Sequence, residues 1–536
     1  MRLQGLRPLQ LGRFSTVRGG GRAWSVAVLT LATSVAACAP DGPPSVSSPS
    51  TATALSTTAT SPTTTSTATG TTGSSTTAAA TSTSTTTVAL ERSTSVGDRR
   101  YPSLGTAGID VESYDVELEI DPDRRLLAGT VTVTGTFTAA TDQLSFDLDG
   151  PEVRSATVDD ATVEVRVDGS DLIVALDDPG SPGERFVAAF EIVTAVDSGP
   201  SFGPDAGIFA SQGGLWSVNE PDGVSTWMPV NDHPTDKAVW TFRLTVPTGF
   251  EAIANGALVD IVADDGATTW VWHQDELMAS YLVLLLVDDY DLVDDGAIEV
   301  GGATVELRHV VRSDRRDDLD RYLDITRRQL EFFTALFGPY PFDRYGLAIA
   351  DSQPGLAMET QGLPLFSSTD LDGTLGPLQH LLLAHELAHQ WFGNAVSPAT
   401  WDDIWLNEGF ATYAQMLWFD EVGLSTLESE AELALRTLPD DGWPLSAPTD
   451  LFGTVSYNGG AVALHALRLV VGDEAFFATL RAWVLEHDDA AASTDDFQRT
   501  AERVSGRDLD EFFETWVHAP DGPPDAFPVV SATEDG

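Results

Sequence analysis

Leu381-Leu382-Leu383-Ala384-His385-Glu386-Leu387-Ala388-His389-Gln390 sets His-Glu-x-x-His in an otherwise apolar run. Residues four apart share one face of a helix, so both imidazoles can converge on a single cation. Glu386 projects from the adjacent position, within reach of a water on that cation. Burying two histidines and a glutamate without a task would be unfavourable.

The next segment completes the pattern. Eighteen residues separate His389 from Glu408, which lies in Trp405-Leu406-Asn407-Glu408-Gly409-Phe410-Ala411. That spacing allows one turn and a returning helix that brings Glu408 beside the histidines. A three-histidine arrangement would need Gly at 392 and His at 395, where the chain has Phe392 and Ala395. Two His and one Glu leave one position open on tetrahedral zinc, the arrangement of a catalytic rather than a closed structural site. The single cysteine, Cys38, excludes a thiolate cage and an intramolecular disulfide. Asp403 can orient a ligand histidine or cap the helix that begins near Ile404.

The surrounding sequence is helical in period over Asp318–Phe337, Pro377–Phe392, Asp403–Phe419, Ala461–Val471 and, in pieces, Asp495–Val517. Strands are expected near Val305–Val311 and Gly346–Ala350. Upstream, Tyr114–Ile120, Thr130–Thr134 and Thr162–Val167 alternate in polarity, with Asp-Gly and Pro-Gly turns nearby. The expected fold is α+β and multidomain: an antiparallel β domain over 98–297, then a mainly helical domain over 298–536.

The first 37 residues hold five arginines and no acid, and an apolar run covers Ala23–Ala37. The run is short of the ~20 residues that span a bilayer and reads as a secretory signal. It ends in Val35-Ala36-Ala37-Cys38, which resembles a bacterial lipoprotein signal. Lipid on Cys38 would then anchor the chain at the outer face of the cytoplasmic membrane. Residues 38–97 are dominated by Ser, Thr and Ala and read as a stalk.

The 81 acidic and 29 basic side chains give a formal charge of −52. A nucleic-acid partner is excluded, because phosphate neutralisation needs a basic face, and attachment through anionic lipid is disfavoured. Hydrophobic residues make up 42% and Trp numbers 13, enough for a large core.

The His-Glu-x-x-His motif, the eighteen-residue interval and Asn-Glu-Gly-Phe-Ala together resemble the M1 family of zinc aminopeptidases. Pro354-Gly355-Leu356-Ala357-Met358-Glu359-Thr360 is similar to the family's G-x-M-E-N motif, and Val455-Ser456-Tyr457-Asn458-Gly459-Gly460 to its catalytic-tyrosine segment. Asn219-Glu220-Pro221-Asp222-Gly223, with Trp227–Pro229 and Asn231–Pro234, resembles the β-domain segment that reaches into the active site. The resemblance implies a thermolysin-like second domain with one zinc on His385, His389 and Glu408, Glu386 as general base and Tyr457 as oxyanion donor. It implies that Glu220 and Glu359 hold a peptide's free α-ammonium, with Gly355 and Met358 in the substrate site. Leu356, Thr360 and Gly459 depart from the usual Gly, Asn and Lys. With the chain ending at Gly536, the family's large helical C-terminal domain is expected to be absent and the site more open. A zinc endopeptidase or epoxide hydrolase is an alternative reading. A non-catalytic cell-surface binding module is another, but it predicts loss of Glu386 or a ligand, and the chain keeps them all.

Overall fold

The computed structural model describes residues 95–196, 206–211, 213–374 and 376–529. The signal segment, Cys38 and nearly all of the expected stalk lie outside the described residues.

The first domain is built on an eight-stranded sheet. Its order is Ala257–Asp264, Ala267–Met278, Ala238–Pro247, Ile109–Asp121, Leu126–Phe137, Arg185–Ala195, Glu152–Val158 and Ala161–Thr162. In Ile109–Asp121, Val116, Leu118 and Ile120 are buried while Glu117 and Glu119 face water, as a half-buried strand requires. Neighbouring strands run antiparallel except Ile109–Asp121 and Ala238–Pro247, which pair in parallel. Tyr114 stacks on Trp240 with centroids 4.1 Å apart across that pair. The expected strand Thr162–Val167 is broken: Ala161–Thr162 joins the large sheet, and Val165–Asp168 joins a three-stranded sheet with Asp171–Gly180 and Thr141–Asp147. A four-stranded sheet, Glu251–Ala254, Leu285–Asp288, Leu215–Val218 and Gly207–Ala210, carries the chain towards the second domain.

The second domain opens with the hairpin Tyr290–Val300 and Ala303–Arg312, followed across the sheet by Ala348–Ala350, Leu365–Ser367 and the edge strand Ala357–Met358. The boundary expected between 297 and 298 cuts the first strand of this hairpin.

The helices are Leu323–Phe337, Gln379–Ala388, Trp405–Val422, Leu427–Thr437, Gly460–Val471, Asp473–His487, Thr494–Ser505 and Asp510–Trp516; the first two lie against the sheet, and the others pack mainly on one another. Helix Trp405–Val422 is buried nearly all round, which marks a central rather than a surface helix. Gly423 ends it with φ +71°, a conformation that favours glycine. The lone lysine, Lys237, joins the domains: its buried Nζ donates to the Asn394 and Ala395 carbonyls, each at 2.8 Å.

Candidate active site

The apolar helix Gln379–Ala388 presents His385, and His389 continues its last turn. The rings lie 4.6 Å apart, nearly perpendicular. Glu408, in the first turn of Trp405–Val422, faces both. Its Oε2 is 3.1 Å from His385 Nε2 and 3.5 Å from His389 Nε2. Ligands ~2.0–2.1 Å from a tetrahedral zinc are separated by about 3.3–3.4 Å, and both separations from Glu408 lie close to that edge length, with all three donors within 4.8 Å of one another. His389 Nδ1 lies 3.1 Å from the Phe392 carbonyl, which selects the tautomer with Nε2 free to bind metal. The residues fit a single zinc.

Asp403 does neither of the two things expected of it. It accepts from the backbone N–H and hydroxyl of Thr494 at 2.9 and 2.7 Å, serving the start of a different helix. It touches no ligand histidine and makes no cap on its own helix. Of the other histidines, His233 pairs with Asp98, His273 with Thr241 and His309 with the Leu347 N–H.

Glu386 and Glu359 are buried beside the metal set. One ligand atom from each of Glu359, Glu386 and His389 falls within 4.8 Å of the others, as does one oxygen from each of Glu220, Glu359 and Glu408. Burial pushes the Glu386 carboxyl well above the usual range; the His389 ring opposes this, while Glu359 and Glu408 add to it. A dication among the ligands reverses that balance.

Glu359 follows the edge strand Ala357–Met358 and is held through its main chain. Its carbonyl accepts from Asn394 Nδ2 at 2.7 Å and Gln390 Nε2 at 3.2 Å. Its Oε1 accepts no hydrogen bond and lies 3.8 Å from His389 Nδ1. Glu220 sits just beyond strand Leu215–Val218. The preceding Asn219 is pinned by Trp227 Nε1 at 3.1 Å and by the Val283 carbonyl at 2.7 Å. Only the first part of that motif reaches the cleft, since Trp227, Met228 and Asn231–His233 are buried in the β domain. Gly355, at φ +82°, donates its N–H to Asp370 at 2.6 Å. Thr360 spends its hydroxyl on the Leu363 carbonyl.

Tyr457 lies in a single widened helical turn, Val455–Gly459, and stacks on His385 with centroids 5.8 Å apart. Burial and the carboxylates of Glu408, Glu220, Glu359 and Glu386 raise its hydroxyl well above 10, so it stays a protonated donor. At Gly459, a Cβ would lie 2.9 Å from the Trp443 ring. That indole fills the space of the side chain the resemblance leads one to expect there.

His385, Glu386, His389, Glu408, Tyr457, Glu220, Glu359 and Gly355 open onto one cleft of about 680 Å³. Val218, Leu356, Met358 and Phe452 line it as well. Phe452 escapes sequence reasoning because a lone aromatic in a loop carries no pattern.

Residues 321–516 match the model of the peptidase family M1 domain, and residues 110–282 match that of the peptidase M1 N-terminal domain. The M1 zinc metallopeptidase of Deinococcus radiodurans superposes with a TM-score of 0.75 at 32% identity, over 81% of this chain and 100% of that one. The chain belongs to peptidase family M1. A mutant of the same bacterial M1 enzyme bound to a Tyr-Ser-Ala substrate has the same fold, with a TM-score of 0.75 at 32% identity over 82% of this chain and 100% of that one. Among curated M1 relatives, aminopeptidase M1 of Arabidopsis thaliana is 29% identical over 58% of this chain and 37% of its own length. Glutamyl aminopeptidase of Bitis rhinoceros is 28% identical over 56% of this chain and 33% of its own. The chain thus spans about a third of the length of these curated relatives.

Proposed function

We propose that this chain is a zinc-dependent aminopeptidase acting on peptides with a free N-terminus. The observation that carries the reading is the grouping of Glu220 and Glu359 within 4.8 Å of Glu408. An ammonium takes charge-assisted bonds of about 2.7–2.9 Å, so one α-amine can bridge the two outer carboxylates while its carbonyl lies over the metal ligands. An internal peptide bond brings no cation to this group, and the charge of buried Glu359 is then left uncompensated. The same contrast disfavours endopeptidase action.

A bound zinc supplies a Lewis acid for the scissile carbonyl and an acidified water. Glu386 takes the proton from the attacking water and delivers it to the leaving amine. Tyr457 donates its hydroxyl to the developing oxyanion. Glu220 and Glu359 set the distance from the N-terminus to the bond that is cut. Stripping the enzyme with a chelator should abolish hydrolysis of an aminoacyl anilide, and about one equivalent of zinc should restore it. Full activity after verified metal removal would refute the reading.

We further propose attachment to the outer face of the cell membrane through lipid on Cys38. Support comes from the sequence Val35-Ala36-Ala37-Cys38. Among the described residues no helix is long and apolar enough to cross a membrane. Cys38→Ser should move the protein from the membrane to the soluble fraction, and an unchanged distribution would overturn the proposal.

A further inference from the structure

We propose that Arg100 is a positioning residue for Tyr457, tying the loop that enters the Glu408 helix to the loop that enters the tyrosine turn. This rests on the aminopeptidase reading of the cleft. The Arg100 guanidinium meets Asp402 with Nε and Nη2 each 3.1 Å from Oδ1. On its other side it donates to the carbonyls of Pro448 and Thr449. Asp402 stands six residues before Glu408, and Thr449 eight before Tyr457. Between Thr449 and Tyr457 the chain is stiffened locally: Gly453 N–H donates to Asp450, and Ser456 and Tyr457 N–H donate to Gly453.

Arg100 is itself held in place. The Asp98 carboxylate accepts the N–H groups of Arg100 and Tyr101 through Oδ1, at 2.6 and 3.1 Å. Through Oδ2 it accepts the Trp401 N–H at 2.8 Å and faces His233 at 3.4 Å. The Trp401 ring packs edge-on against Tyr281, whose hydroxyl donates to the Gly393 carbonyl at 2.7 Å and accepts from Asn407 at 3.4 Å. A segment far from the metal in sequence therefore reaches both sides of the site.

Arg99 also contacts Asp402, at 2.8 Å, but its side chain is 73% exposed against 19% for Arg100. Exposed ion pairs contribute little, so the effect is assigned to Arg100. A planar guanidinium can serve a carboxylate and two carbonyls at once, whereas an ammonium cannot match that fork.

The test is a double-mutant cycle in the zinc-loaded full chain, with hydrogen exchange as a second readout. Arg100→Ala should lower kcat about tenfold with KM within twofold, zinc content unchanged, and Arg100→Lys should recover part of the loss. Arg99→Ala should change kcat less than twofold. In a Tyr457→Phe background, Arg100→Ala should cost less than twofold, because residues acting as a unit are not additive. Amides of 449–459 should exchange faster in Arg100→Ala while those of 381–388 do not. Equal losses in both backgrounds, or unchanged exchange over 449–459, would overturn the proposal. A wild-type enzyme inactive on aminoacyl amides would refute the peptidase reading instead, and the exchange measurement would still decide the role of Arg100.

Discussion

Gly409 and Gly460 meet backbone to backbone: a Cβ on either would lie 2.6 Å from the other's Cα. Gly409 follows the metal ligand Glu408, and Gly460 opens the helix that continues the Tyr457 turn. The contact thereby fixes how closely the Glu408 helix approaches the Tyr457 turn. Gly409→Ala must separate two packed helices, at a cost of about 1–3 kcal/mol. Each kcal/mol corresponds to roughly 2–4 °C in Tm for a domain of this size. Thermal unfolding should show that drop together with a lower kcat, and an unchanged Tm would mean the helices part without resistance.

Tyr457→Phe keeps the ring stacked on His385 and removes only the hydroxyl. Loss of one oxyanion donor costs about 10²–10³ in kcat. Steady-state kinetics with zinc content verified by elemental analysis should show that loss with little change in KM. Full activity would remove Tyr457 from the chemistry.

Glu359→Gln removes one charge from the site proposed for the α-ammonium. Hydrogen bonds to charged groups contribute about 1.5–3 kcal/mol, equivalent to roughly 10- to 150-fold in kcat/KM. The loss should appear with free-amine substrates. Glu220→Gln should act in the same direction, and no change in either variant would place the amine elsewhere.

Stability should fall as pH rises from about 4 to about 7. Asp147 is buried and Asp236 half-buried in the β domain, and desolvation raises each carboxyl to about 7; neighbouring Asp232 is raised as well. An unfolded Asp titrates near ~3.9, so between the two values the folded state holds protons that the unfolded chain has lost. The stability from these groups is full below pH ~4 and is lost as pH rises through about 7. Tm measured against pH should slope downward across this window, and Asp147→Asn should flatten the slope. A Tm that rises with pH there would contradict the burial argument.

The metal site was the most legible part of the sequence. His385 and His389 share a helix face by spacing alone, and an eighteen-residue return puts Glu408 on the next helix. The large strands were legible because one face of each is buried, as in Val116, Leu118 and Ile120. Thr162–Val167 misled because alternation does not reveal that a strand changes sheets in its middle. Helices Leu427–Thr437 and Asp473–His487 were missed, although Thr426 caps the first with a reciprocal hydrogen-bond pair and Gly472 at φ +84° precedes the second. Asp403 was misread because its partner, Thr494, lies 91 residues away. Arg100 and the Gly409–Gly460 contact were invisible for the same reason: their partners are set by tertiary packing, which no local period encodes.

The central claim is that two carboxylates read a free N-terminus beside a zinc ligand set. The most direct test compares hydrolysis of an aminoacyl anilide with its N-acetylated form in the zinc-loaded enzyme. The account predicts cleavage of the free amine and, for the acetylated substrate, a kcat/KM lower by at least the ~10-fold expected for losing one charged hydrogen bond. Equal cleavage of the two substrates would contradict it.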